Sequence, residues 1–454
     1  MRNIINFKNS KFPLLIAFLS VLFYISFAYY LDRTDYINLV GLYSGLFLLF
    51  NKLILFKQQN LKLLSWLAFS FRAVFILAIP NLSQDFYRFI WDGRMILEGF
   101  NPYLYTPESF ILKSEFPIAQ AQELYNGMGT LNGSHFTNYP PLNQLCFIIA
   151  GLFSGNSILG SAVVLRLLII AADFGTLYFG KKLLHKLELP EHTIFWYILN
   201  PFIIIELTGN LHFEGVMIFF LVWSLYLLHV NKWKLAAVIL ACSISVKLIP
   251  LLFLPLLFQK LGFKRSISFY SIVGITTLIL FAPFYSSQFI NNYSQTVALW
   301  FGNFEFNASI YYIAREIGYL FRGWNEIAII SKILPLLVFL FVIILTFFRN
   351  NKNTQQFITA MLLCLSVYFF MSTTVHPWYI ATLLILGVFT NYKFPLVWSF
   401  VIILSYLAYL QIGKADKSEN LWIIGLEYLI IYAVFIKDVF FNKTNKELNS
   451  LTKD

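Results

Sequence analysis

Residues 12–30 read FPLLIAFLSVLFYISFAYY, nineteen positions with no charged side chain. An unbroken apolar stretch of about 18 residues or more is the mark of a membrane span. The run follows Arg2, Lys8 and Lys11. A secretory leader would have a shorter apolar core and a small-residue cleavage site, whereas this run ends Tyr29-Tyr30-Leu31-Asp32. It predicts a retained first span with the N-terminus inside. The rest of the 454 residues continues the pattern. Apolar side chains make up 59%, aromatic ones 19% and charged ones only 12%, half of the roughly 25% charge usual in soluble domains. This balance excludes a disordered tail, a coiled coil and an ordinary cytosolic enzyme. It leaves a single polytopic membrane domain.

Candidate spans are 12–30, 36–56, 61–81, 158–180, 193–209, 213–230, 234–259, 267–284, 327–348, 355–375, 377–391, 394–412 and 421–441. The expected fold is an all-α polytopic membrane protein with about 12–14 transmembrane helices and an outer-face juxtamembrane helical loop. The net charge of +11 would suggest nucleic acid in a soluble protein. Here the basic residues sit in short loops, which is the positive-inside signature, so no nucleic-acid partner is expected. Lys57, Lys62, Lys181, Lys182, Lys186, Lys232, Lys234, Lys260, Lys264, Arg265, Arg349, Lys352, Lys393, Lys443 and Lys446 can all be cytoplasmic under two conditions. The run 141–154 must not cross the bilayer, and 234–259 must turn back or form two short helices. Tyr139-Pro140-Pro141 opens the first run, and Lys247, Pro250 and Pro255 interrupt or follow the second. Such breaks are tolerated at membrane depth only where the freed backbone faces protein or a cavity. Both termini are then cytoplasmic. The loops 82–140 and 285–326, the Gly209–Glu214 connection and the junction at His376 share the outer face. One domain of residues 1–441 and a polar cytoplasmic tail, 442–454, complete the layout.

The unusual polar residues collect on that outer face. The stretch Ser83 to Arg94 reads SQDFYRFIWDGR. If 84–98 is helical, Asp85 and Asp92 share a face with Arg88 between them, and Gly99 and Asn101-Pro102 end the helix. The bland reading is an amphipathic interfacial helix with an Arg88–Asp92 pair. A second group is Asn200-Pro201, Glu206, Gly209-Asn210, His212 and Glu214, a helix break followed by polar groups at membrane depth. Lys247, inside an apolar run, needs an anionic partner from the protein or from a ligand phosphate. His376-Pro377-Trp378-Tyr379 could be an interfacial aromatic anchor. Arg72, Arg166 and Asp173 lie within spans and are expected to form structural pairs between helices. Cys146, Cys242 and Cys364 are far apart in apolar runs, so no disulfide framework and no metal cluster are expected. No Walker A loop, dinucleotide fingerprint, H-E-x-x-H or nucleophile elbow occurs, and the Asn-x-Ser triplets at Asn132, Asn292 and Asn307 are short enough to be chance.

Asp85, Tyr87-Arg88, Trp91-Asp92-Gly93-Arg94 and Gly99-x-Asn101-Pro102-Tyr103 resemble the first outer loop of polyprenol-phosphate-mannose-dependent mannosyltransferases, multispanning glycosyltransferases of the GT-C superfamily. Four later segments are similar to that family in the same order: Tyr139-Pro140-Pro141-Leu142, Asn200-Pro201 through Gly209-Asn210-x-His212, Val246-Lys247-Leu248-Ile249-Pro250, and His376-Pro377-Trp378-Tyr379. Phe213-Glu214 occupies the place where the family often shows a second acidic or amide residue. The C-terminal spans match in hydrophobicity alone.

The resemblance implies that Asp85 is the catalytic outer-loop carboxylate of an inverting hexosyltransferase, with mannose as the expected sugar. The chemistry is consistent. An acceptor hydroxyl must lose its proton as it attacks the anomeric carbon, and a carboxylate can take it. The leaving lipid phosphate would be stabilised by cations or hydrogen-bond donors, for which Arg88, Arg94, His212, Lys247 and His376 are candidates. Asp92 or Glu214 could hold sugar hydroxyls. Asn210 and Tyr379 complete the expected substrate-binding set. No metal or other cofactor is required, because the donor carries one phosphate and its tail stays in the bilayer. The expected partners are a polyprenyl-phosphate-linked sugar, a glycan or glycolipid acceptor and the lipid bilayer of a cell membrane. Two other readings stand beside this one. A transporter or lipid flippase would also use broken spans and a buried lysine. A lipid-linked polymer ligase or polymerase would carry its main polar loop later in the chain.

Overall fold

The computed structural model of the protein describes residues 12–55, 60–302, 304–409 and 419–442. Arg2, Lys8, Lys11, Lys57, Lys443, Lys446 and all but the first residue of the expected tail lie outside the described residues. Within them the chain is helical throughout, and a lone bridge between Phe306 and Thr374 stands in for any sheet. The architecture is the all-α polytopic one that the apolar runs predict.

Among the described residues six helices are long and apolar enough to cross a membrane: Phe12–Tyr29, Tyr36–Ile54, Ile158–Lys186, Phe263–Phe284, Ile327–Phe348 and Thr354–Met371. The pair Pro201–Gly209 and Glu214–His229, bent by 115°, makes a seventh if taken as one span. Side-chain caps mark several starts. Asp35, Asn60, Ser157 and Asn353 each accept a backbone N–H two or three residues into the helix that follows, which satisfies one orphan donor apiece. The other predicted spans resolve into shorter pieces. Run 234–259 becomes Trp233–Ile244, a 3-10 turn Ile249–Phe253 and Leu257–Leu261. Run 193–209 becomes four short segments around Asn200-Pro201, because proline offers no N–H to the turn behind it and clashes with that turn. Run 141–154 is a single helix, Pro141–Ser154.

At two of the breaks the protein meets freed backbone carbonyls. At the 115° bend, the guanidinium of Arg166 donates to the carbonyls of Thr208 (2.9 Å), Gly209 (3.1 Å) and Ile76 (2.8 Å). Arg72 donates to Ile198 O at 2.7 Å and closes an ion pair with Asp173, also at 2.7 Å. Asp173 therefore has its interhelical partner in Arg72, while Arg166 binds carbonyls of the bend. At the second break, the carbonyls of Ser245 and Val246 accept from Leu142 N (3.0 Å) and Asn143 Nδ2 (3.1 Å). The donors come from the first turn of Pro141–Ser154, where N–H groups have no intrahelical acceptor. A helix start and a helix break satisfy each other.

The loop 82–140 contains the helices Asp85–Leu97, Pro107–Ile111 and Ala121–Gly133. Asp85–Leu97 differs from an amphipathic helix lying at an interface. Phe86 and every residue from Arg88 to Met95 are buried, because the helix is packed between Ala121–Gly133 and Pro141–Ser154. Gly93 makes the second packing possible. A β-carbon there would lie 2.3 Å from the Phe147 carbonyl oxygen, a backbone atom that cannot turn aside. Overpacking of this kind destabilises by about 1–3 kcal/mol. Gly93→Ala should therefore lower the thermal unfolding midpoint of the detergent-solubilised protein, whereas Gly99→Ala, with open space around it and φ of +83°, should show only the smaller strain of a left-handed backbone.

Candidate active site

A cavity of about 860 Å³ opens where the outer loop, the break at Lys247 and the junction at His376 meet. Asp85, Arg88, Lys247, His376 and Tyr379 all line it. These residues are separated by up to 294 positions in sequence, from Asp85 to Tyr379, and the two backbone breaks bring them together. The remaining candidates fall behind the wall. Asp92 is fully buried, accepting from Arg88 Nε at 2.7 Å and Gln144 Nε2 at 3.1 Å. Arg94 is buried against the loop, donating to Ala119 O at 2.7 Å. Neither is part of the lining, because residues seven and nine positions beyond Asp85 lie on turns enclosed by the neighbouring helices. Asn210 accepts from Leu82 N at 3.0 Å and donates to Ile205 O at 3.1 Å. It ties the bend to the start of the outer loop, three residues before Asp85. His212 and Glu214 are buried just beneath the lining.

Arg88 has more than one task. Besides its ion pair with Asp92, its Nη1 donates to the carbonyls of Asn132 (2.7 Å) and His135 (2.9 Å). It thereby holds the 132–135 turn over the site, and Asn132 Nδ2 in turn reaches Asp85 Oδ1 at 3.4 Å. Asp85 keeps some surface open to the cavity while lying deep among protein atoms. That enclosure raises its pKa above the ordinary aspartate value, the more so with Glu214 near; Lys247 and the Asn132 amide pull it part of the way back. Lys247 Nζ sits 3.2 Å from Glu214 Oε1 and 5.2 Å from the centre of the Tyr139 ring. Glu214 is fully buried, while Lys247 is 21% exposed, toward the cavity. The ammonium is thus held in place from below and open from above.

The far wall is a column of rings. His212 stacks on Trp378 at 3.7 Å between centroids, Trp378 on His376 at 4.6 Å, and His376 on Phe306 at 5.2 Å. Burial, with Lys247 close by, pushes the His376 pKa down to about 3, so this imidazole is neutral at ordinary pH. It can donate or accept a hydrogen bond but adds no charge. Glu206, buried behind the wall, accepts from the Tyr406 hydroxyl at 2.8 Å, and Tyr406 itself lines the cavity. The sequence reading missed Asn132, Tyr406, Glu305 and Glu419, all of which belong to this cavity or its lining. Glu305, a lone acid between Phe304 and Phe306, carried a usable signal; Tyr406, one tyrosine in an apolar run, carried none.

Residues 22–261, more than half of the chain, match the alpha-(1->6)-mannopyranosyltransferase family over its N-terminal domain. The chain belongs to this family. It is similar to alpha-(1->6)-mannopyranosyltransferase A of Mycobacterium tuberculosis, with 21% identity over 221 residues. That alignment covers 47% of this chain and 41% of the relative, so the matched stretch spans less than half of the relative's length. The family region contains Asp85, Arg88, His212, Glu214 and Lys247; the other three rings of the column, Trp378, His376 and Phe306, and Glu419 lie beyond it.

The ion pair has a testable consequence. Removing one partner of a buried pair leaves the other charge unmet, which is far worse than removing both. Lys247→Met should destabilise the protein, and Lys247→Met combined with Glu214→Gln should recover most of the loss. Thermal unfolding of the two single variants and the double variant, read as a double-mutant cycle, checks this.

Proposed function

We propose that the protein is a mannosyltransferase that moves a mannosyl group from a polyprenyl-phosphate donor to a hydroxyl of a glycan or glycolipid acceptor. The observation that carries the reading is the joint placement of the Asp85 carboxylate and the Lys247 ammonium on one cavity. Family membership supports the sugar. A single displacement with inversion needs two groups on opposite sides of the anomeric carbon. Asp85 takes the proton of the acceptor hydroxyl as its oxygen forms the new bond to the anomeric carbon. The bond from that carbon to the phosphate oxygen breaks, and the polyprenyl phosphate leaves with the electron pair. Lys247 offsets the charge that grows there. Arg88 and Asn132 position Asp85, and neutral His376 with Tyr379 lines the space for sugar hydroxyls.

The same geometry supports an outer-face site. Thr354 starts a helix whose last residue, Met371, lines the cavity. Eighteen residues at about 1.5 Å each span about 27 Å, close to the roughly 30 Å of a hydrocarbon core. At its start, Thr354 Oγ1 accepts from Lys260 Nζ at 2.9 Å and meets His229 Nδ1 at 2.9 Å. The basic end and the cavity thus lie one membrane thickness apart. With basic loops facing the cytoplasm, the cavity opens on the other side, and the protein is multi-pass with its chemistry on the outer face.

Asp85→Asn should reduce transfer from a polyprenyl-phosphate mannose by about 10²–10⁴-fold, the usual worth of a positioned base, with expression and thermal unfolding unchanged. Wild-type rates in this variant would remove Asp85 from the mechanism. A base must be deprotonated to work, so activity should fall as pH drops through the Asp85 pKa. Because that pKa is raised, the acid limb of the kcat/KM profile should lie above the ordinary aspartate value of about 3.9. Lys247→Gln removes a cation that lowers it, so the limb of the residual activity should move to still higher pH.

A further inference from the structure

The cavity is larger than one charged headgroup requires. At about 860 Å³ it lies near the top of the range of roughly 300–1,000 Å³ usual for ligand pockets. Its lining also changes character along its length. Lys247 and Arg88 reach it from the second break and the outer loop, whereas two carboxylates, Glu305 and Glu419, reach it with Trp300 and Phe304 from a wall supplied by the later part of the chain.

That second wall is built with care. Segment Phe304–Phe306 is stitched beside residues 373–375, with Phe306 N donating to Thr373 O (3.1 Å) and Val375 N to Phe306 O (2.8 Å). The Glu305 carboxylate is fixed by Tyr311 (2.7 Å), Asn325 (2.6 Å) and Arg315 (2.6 Å). Glu419 accepts the Asn307 N–H at 3.0 Å on each oxygen and the Tyr312 hydroxyl. Both carboxylates therefore hold one orientation without help from a ligand. Thr373, in the second of these segments, lines the cavity and is 5% exposed, and its enclosed hydroxyl has no hydrogen-bond partner. Buried polar groups without partners are rare in native proteins and point to a missing ligand or water.

We propose that Glu305, Glu419, Thr373 and the Trp300 ring form the acceptor subsite, and that the acceptor group held there is a neutral saccharide rather than a lipid or an anion. This rests on the transfer reading above. Glu305 is paired with Arg315 at 2.6 Å, so it is Glu419 that disfavours a phosphate here; both carboxylates can accept hydrogen bonds from hydroxyls, and each such charge-assisted bond is stronger than a neutral one. A polyol presents several hydroxyls at once; a simple alcohol presents one. Trp300 offers an apolar ring to the C–H face of a pyranose. The donor headgroup is then confined to the Lys247 wall, and the two substrates meet at Asp85.

The test is steady-state kinetics with a polyprenyl-phosphate mannose and a soluble alkyl mannoside, each varied in turn. Thr373→Val is the decisive variant, since the hydroxyl it removes supports nothing in the protein. It should raise the acceptor KM about threefold to tenfold, the loss of one hydrogen bond, and leave the donor KM unmoved. Glu305→Gln and Glu419→Gln should each raise the acceptor KM about tenfold or more. Replacing the mannoside by a simple long-chain alcohol should abolish the difference between wild type and variants. Unchanged acceptor KM in Thr373→Val and Glu419→Gln, or an equal rise in donor KM, overturns the subsite while leaving the transferase reading intact. Absence of any product from the wild-type protein would instead strike the transferase reading itself.

Discussion

Hydrocarbon cannot hydrogen-bond a free backbone group, so a helix may break at membrane depth only where protein supplies the missing partners. The site depends on meeting that constraint twice. Arg166 takes the carbonyls of Ile76, Thr208 and Gly209, and Arg72 takes that of Ile198. The first turn of Pro141–Ser154 takes those of Ser245 and Val246. Without the first set, the 115° bend would carry several unmet carbonyls, and His212 and Glu214 would lose their placement. Without the second, the carbonyls of Ser245 and Val246, freed where the helix ends ahead of Pro250, would be unmet beside Lys247. Two arginines outside the cavity lining thus hold the bend that carries His212 and Glu214.

Much of this was legible in sequence because the governing signals are local. Apolar run length gives six of the thirteen candidate runs as long spans among the described residues, the others being cut shorter, and proline and asparagine give several of the breaks. The spacing of Asp85, Arg88 and Asp92 correctly places three charges on neighbouring turns. The Arg88–Asp92 pair of the bland reading forms; what spacing could not decide is that Asp92 would be sealed away from the cavity that Asp85 lines. Arg88 closes on Asp92, four residues on, and Gln144, 52 positions later, completes the burial of that acid. Asp85 is left to the cavity. Likewise, Arg166 and Asp173 lie two turns apart on one helix, yet each finds its partner elsewhere. Residues such as Tyr406 and Glu419 were illegible for a related reason. Their importance comes from segments that meet only in three dimensions, and no local pattern marks them.

The division of the cavity between two parts of the chain follows from this packing. The family region supplies Asp85, Arg88 and Lys247, together with Glu214 beneath the lysine. The later part supplies Trp378, His376 and Phe306 of the ring column, Thr373, Glu305 and Glu419. One wall carries a carboxylate beside an ammonium; the other carries fixed acceptors and aromatic surface. On the proposed reading, a donor with an anionic phosphate would favour the side that carries Lys247 and an acceptor with neutral hydroxyls the side that carries Glu419, so charge would help to sort the two.

The same layout keeps the electrostatics steady during the proposed transfer. The donor phosphate, a diester, carries one negative charge and gains a second as its bond to the sugar breaks. In the same step Asp85, negative at the start, becomes neutral by taking the acceptor's proton. The total charge facing Lys247 is therefore nearly constant, and what moves is its position, from the carboxylate to the departing phosphate. An ammonium held from below by Glu214 and Tyr139 can favour that shift without moving. Field stabilisation that needs no reorganisation at the moment of reaction is the kind that lowers a barrier most. On this argument the raised pKa of Asp85 and the fixed position of Lys247 are two expressions of one arrangement, in which a low-dielectric cleft makes the carboxylate willing to give up its charge as the phosphate acquires one.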